Sequence, residues 1–67
     1  MTPAEIRDLR RMLGRTQRGM ADIIETTNVT WGRWERGETV PLPVFEEKLQ
    51  KLFAFAKKQE EEGENEL

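Results

Sequence analysis

The apolar residues of this chain recur at helical spacing in four stretches, each bounded by capping or turn-forming residues. The first opens with Thr2-Pro3-Ala4-Glu5. Thr2 can cap a helix, Pro3 suits the first helical position, and Glu5 sits where a capping box wants its carboxylate. Ile6, Leu9 and Leu13 then share one face, and Gly14 supplies the stop. Arg10 lies on that same face, either as a snorkelling rim residue or as half of a partly buried ion pair.

A second helix is expected from Gln17 to Ile24, capped by Thr16, with Met20, Ala21, Ile23 and Ile24 on its buried side. A helix this short needs neighbours in order to persist. After Glu25-Thr26, Thr27 can cap a third helix from Asn28 to Arg36, which Gly37 ends. Trp31 and Trp34 share its inner face. Core packing is the expectation for both, with stacking on exposed bases the alternative.

Pro41 and Pro43 keep Glu38 to Pro43 out of regular helix. From Val44 the pattern turns helical again. Phe45, Leu49, Leu52, Phe53 and Ala56 form one stripe, and Val44, Lys48, Leu52 and Phe55 a second. The run 59–67 has no apolar period and reads as frayed helix passing into an acidic, disordered tail. It either solubilises the chain, repels DNA, or docks a basic partner. The fold expected is all-α, a compact bundle of four or five helices occupying residues 1–58.

Composition narrows the function. Sixty-seven residues hold one domain at most. Cysteine and histidine are absent, which removes disulfides, thiolate metal sites and the usual general base. No enzymatic activity, metal or cofactor is expected. No apolar run approaches the roughly 18 to 20 residues of a membrane span, and no secretory leader precedes the first helix, so the expectation is a cytoplasmic protein, prokaryotic or phage-encoded. The net charge of −2 is unevenly spread. Residues 1–36 carry seven arginines against five acids, and residues 37–67 four lysines against eight glutamates. Arginine is the cation suited to phosphates and guanine edges, although uneven charge on a soluble bundle gives the same count.

Two short helices joined by a turn of three or four residues have the geometry of a helix-turn-helix, whose second helix enters the major groove. With the indoles inward, the outer face of the third helix collects Asn28, Val29, Gly32, Arg33 and Arg36. An asparagine can read adenine, an arginine guanine, and a valine the thymine methyl. Asn28 could instead assist capping, and Arg33 could be a solvated charge. Arg15 and Arg18 flank the second helix as phosphate contacts or ordinary surface. Gly32 costs about 1 kcal/mol relative to alanine inside a helix. Its place there suggests close approach, by a groove or phosphate on one reading and by another helix on the other.

Several residues carry a family resemblance: Ile6-Arg7-Asp8-Leu9-Arg10, Thr16-Gln17, Met20-Ala21, Ile23-Ile24, Trp34-Glu35-Arg36-Gly37-Glu38 and Pro41. Over Ile6 to Phe53 the chain resembles the lambda-repressor-like helix-turn-helix regulators, including phage Cro proteins and xenobiotic-response-element-type regulators. The resemblance implies a lambda-repressor-like fold in which Gln17, Thr27 and Arg36 meet phosphates. It also implies that Asn28, Val29, Gly32 and Arg33 face the bases, and that Arg10 and Glu35 form a structural ion pair. The chain departs from the pattern at Glu25, where glycine is usual, at Thr26, usually a small aliphatic residue, and at Trp31, usually valine or isoleucine.

The function so implied is sequence-specific binding of a double-stranded DNA operator by a transcriptional regulator, most simply a repressor. The apolar surplus of Val44, Leu52 and Phe55 predicts a homodimer reading a palindrome with half-sites about one helical turn apart. The competing expectation is an antitoxin or accessory regulator that acts through a protein partner on the same last helix.

Overall fold

The computed structural model describes residues 1–65, with side chains described as far as Glu61. Its elements are α1 (Pro3–Met12), α2 (Gln17–Ile24), α3 (Asn28–Arg36) and α4 (Pro43–Asn65). No strand occurs among the described residues. The chain is all-helical, and the first three helices lie where their caps and apolar spacing put them.

Three threonines start three helices. Thr2 Oγ1 accepts from Glu5 N at 3.1 Å while the Glu5 carboxylate accepts from Thr2 N at 2.9 Å, the reciprocal arrangement of a capping box. Thr16 Oγ1 accepts from Gly19 N at 3.0 Å, and Thr27 Oγ1 from Thr30 N at 3.1 Å. Each such cap is worth about 1 kcal/mol. The stops are left-handed residues: Gly14 at φ 61°, Glu25 at φ 69° and Gly37 at φ 75°.

The core is contributed by every helix. Ile6 and Leu9 come from α1, Met20, Ala21 and Ile24 from α2, Trp31 and Trp34 from α3, and Leu49 and Ala56 from α4. Trp34 joins two elements by tilted ring contacts, 5.7 Å from Trp31 and 5.5 Å from Phe45 between centroids. The terminal amine of Met1 pairs with Glu46, tying the start of α1 to α4.

One expectation is corrected. Ile23, assigned to the buried side of α2, is 43% exposed. An eight-residue helix turns only Met20, Ala21 and Ile24 squarely inward, and Ile23 falls on the rim beside α4. In the acidic segment, read as frayed helix passing into a disordered tail, the helix of α4 runs on to Asn65. Glutamate, lysine and glutamine are good helix formers, so the segment extends α4 without needing an apolar face. Residues 66 and 67 of the expected tail lie outside the described residues. Among the described residues, no helix is long and apolar enough to cross a membrane.

Candidate nucleic-acid interface

The inner side of α3 is organised around Glu35, which is 5% exposed. Arg10 of α1 clamps it with two hydrogen bonds, Nε to Oε2 at 2.7 Å and Nη2 to Oε1 at 3.0 Å. The indole N–H of Trp31, one turn earlier on α3, also donates to Oε2. Arg7 Nη2 donates to the Glu35 carbonyl at 3.2 Å, a cation at a helix C-terminus. Burial alone pushes the Glu35 carboxyl upward. The Arg10 and Trp31 hydrogen bonds and the Arg10 charge outweigh it, with help from the Gln17 amide, and hold it below the ordinary 4.5. The ion pair expected between Arg10 and Glu35 is present, and the guanidinium on the apolar face of α1 thereby has its partner.

The outer side of α3 exposes Asn28, Val29 and Arg33, with Thr27 before them and Arg36 beyond. Val29 is 59% exposed, an isolated apolar side chain between two polar ones. Arg33 forms no ion pair, and the Asn28 amide no hydrogen bond, among the described residues. Thr27 supplies the helix cap, so Asn28 is not needed for capping. Arg18 is exposed at the start of α2, as is Arg15 before it. Gln17 is half-buried.

Gly32 does not belong to that exposed set. It is buried, and a methyl group added to it would lie 3.0 Å from Arg36 Nη1 and 3.5 Å from Gln17 Oε1. The close approach signalled by a mid-helix glycine comes from protein side chains. The base-facing role expected of Gly32 is therefore withdrawn, because its own neighbours roof it. Arg36, expected to meet a phosphate, is partly committed to Glu38, whose Oε2 accepts from Nε at 2.7 Å.

The turn between α2 and α3 keeps the left-handed geometry despite its glutamate. Glu25 at φ 69° ends α2, and Thr26 N returns to Ala21 O at 2.9 Å. Lys48 of α4 reaches over this end, 3.5 Å from Ile24 O and 3.4 Å from the Glu25 carboxylate. The outward side of α4 leaves Val44 58% and Phe55 54% exposed. Leu52 is half-buried, and with Ile23, Ile24, Lys48, Lys51 and Phe55 it lines an open groove of about 460 Å³.

The indole N–H of Trp31, the Arg7 contact and the Lys48 cap were not legible as site features beforehand. For Trp31 a signal existed. A tryptophan four residues before a buried glutamate has its N–H on the same helical face, within reach of the carboxylate. Arg7 and Lys48 look like any other surface cation in sequence, and only the packing of α1 and α4 gives them partners. Comparisons of the chain with known protein families, with curated proteins and with solved structures return no match.

Proposed function

We propose that α2, the Glu25–Thr27 turn and α3 act as a helix-turn-helix of the lambda-repressor-like type, and that the chain is a sequence-specific regulator of transcription, most simply a repressor. The observation that carries this reading is the outer edge of α3. Asn28, Val29 and Arg33 stand exposed on a helix whose opposite side is locked to α1 by Glu35. Their donors, acceptors and methyl groups match adenine, thymine and guanine edges of the major groove. Thr27, Arg18, Gln17 and Arg36 lie around that edge as candidate phosphate contacts, which supply affinity while the bases supply discrimination. No catalytic step belongs to this reading.

On the same proposal two copies pair through Val44, Leu52 and Phe55, setting two α3 helices about one turn of DNA apart. Selection of bound duplexes from a random pool tests the whole reading. A palindromic consensus with half-sites about 10 base pairs apart is expected. Recovery of unenriched sequence would reject specific readout, and a single unpaired half-site would reject the dimer.

One observation favours a second reading, an antitoxin or accessory regulator that works through a protein partner. The groove between α2 and α4 is lined by the apolar Ile23, Ile24, Leu52 and Phe55 together with the charged Glu25, Lys48 and Lys51. A chain that ignores duplex DNA and yet binds a partner in a manner abolished by Phe55→Asp would favour that reading over the first.

A further inference from the structure

Glycine is among the poorest helix formers, and α3 carries one at its centre. No left-handed backbone at Gly32 requires it, since the positive-φ positions are Gly14, Glu25 and Gly37. What the missing side chain makes room for is the guanidinium of Arg36. An added Cβ would meet Arg36 Nη1 at 3.0 Å, Arg36 Cζ at 3.8 Å and Gln17 Oε1 at 3.5 Å. The other edge of the same guanidinium is held by Glu38, with Nε and Nη2 each 2.7 Å from Oε2. The Glu38 backbone is held in place, because the left-handed Gly37 turns the chain back and Glu38 N donates to Arg33 O at 2.9 Å.

We infer that Gly32 is a positioning residue: its bare backbone seats the Arg36 guanidinium against α3 beside Glu38, near the start of α2, oriented toward a DNA phosphate. The inference rests on the DNA-binding reading above and deepens it. Arginine has a rigid planar fork, and with Nε and Nη2 held on Glu38 the side chain is already ordered, so its remaining N–H groups can meet an anion at little further entropic cost. Left untethered, the same side chain must be ordered at the moment of binding. The seat also separates two properties that usually move together. Gly32→Ala removes a poor helix former and displaces only the end of a flexible side chain, so the fold gains while the orientation of Arg36 is lost.

The test is Gly32→Ala, measured with and without Arg36→Ala. Thermal unfolding of Gly32→Ala is expected to rise, by up to about 4–8 °C for a domain of this size. NOEs between the Gly32 α-hydrogens and the Arg36 guanidinium protons are expected in the free wild type. Binding of Gly32→Ala to a mixed-sequence DNA duplex should weaken by about three- to tenfold at low salt, and the slope of log K against log salt should shrink by about 0.9, one phosphate contact. In the Arg36→Ala background, Gly32→Ala should change neither quantity. Equal loss with and without Arg36 overturns the seat, as does absence of the NOEs. A wild type that binds duplex no better than Gly32→Ala does overturns the role alone. A wild type that binds no duplex overturns the DNA-binding reading and this role with it.

Discussion

On its inner side α3 presents Trp31, Trp34 and Glu35, and no buried side-chain nitrogen or oxygen among the described residues lacks a partner. On its outer side it presents Asn28, Val29 and Arg33, whose polar atoms are turned to water. The same nine residues thus serve two demands. The inner set fixes the helix to α1 through a bidentate arginine and an indole N–H, an arrangement that tolerates little change. The outer set contributes little to the fold and is free to vary without disturbing it. Substitutions on the inner side should therefore register as stability, and those on the outer side as binding.

The largest effect expected is at Trp31. Trp31→Ala leaves a cavity where the core was fully closed and removes a donor from Glu35, for about 3–5 kcal/mol of destabilisation. A domain of this length has only about 3–10 kcal/mol in total. Urea unfolding followed by circular dichroism should show a chain near or past its midpoint in buffer. Trp31→Phe keeps most of the packing and loses the N–H, so about 1–3 kcal/mol is expected from the acceptor left short of a partner. If the two variants unfold alike, the hydrogen bond to Glu35 carries the effect and packing does not.

Next comes the ion pair. Arg10→Ala removes the bidentate partner of the Glu35 carboxylate and leaves it the Trp31 N–H and Arg7 Nε at 4.0 Å, at about 3 kcal/mol, the low end for a buried pair. The pair also has a pH signature. Glu35 titrates below the ordinary 4.5 in the folded chain, so it binds its proton less tightly there than in the unfolded chain. Its contribution is complete above about 4.5 and is lost as pH falls through the lower folded value. Stability measured from pH 7 to pH 3 should be level at first and then fall, and Arg10→Ala should flatten that fall. An unchanged acid limb in the variant would mean other carboxylates set it.

The inner side of α3 was the more legible in sequence, for a physical reason. Helical spacing reports which residues face the core, so Ile6, Leu9, Trp31 and Trp34 could be placed without coordinates. The three threonine caps and Gly37 fixed the helix limits in the same way. Position on the outer face is weaker information, because spacing does not say what lies above a residue. Gly32 shares an angular sector with Asn28 and Arg36, yet side chains from two helices cover it. Ile23 was misplaced for a related reason, because a rim position depends on the neighbouring helix.

On the outer side, Arg33→Ala should leave unfolding within about 0.5 kcal/mol of wild type, as for an exposed residue away from caps and core. On the selected duplex it should cost about 1–3 kcal/mol and relax preference at one base pair. Lost affinity that is uniform over all sequences would move Arg33 from the bases to the phosphates. Lost stability would remove the contrast between the two sides altogether.

The smallest effect lies in the turn that joins the two helices. α2 and α3 both end on a left-handed residue, Glu25 at φ 69° and Gly37 at φ 75°, and only the second is a glycine. A side chain in that conformation is disfavoured by roughly 1–2 kcal/mol. Glu25→Gly relieves this, but it loosens the unfolded chain by about 0.4–1 kcal/mol and gives up the exposed contact with Lys48, worth at most about 1 kcal/mol. These terms nearly cancel, and their central values leave a gain of roughly 0.3 kcal/mol, readable as a small rise in the urea midpoint. Glu25→Gly combined with Lys48→Met separates the contributions, since the second change removes the cation whether or not the glutamate is there. If Glu25→Gly destabilises the chain and the loss disappears in the Lys48→Met background, the contact across α2 and α4 outweighs the backbone strain. The turn would then be held by α4 and not by its own conformation.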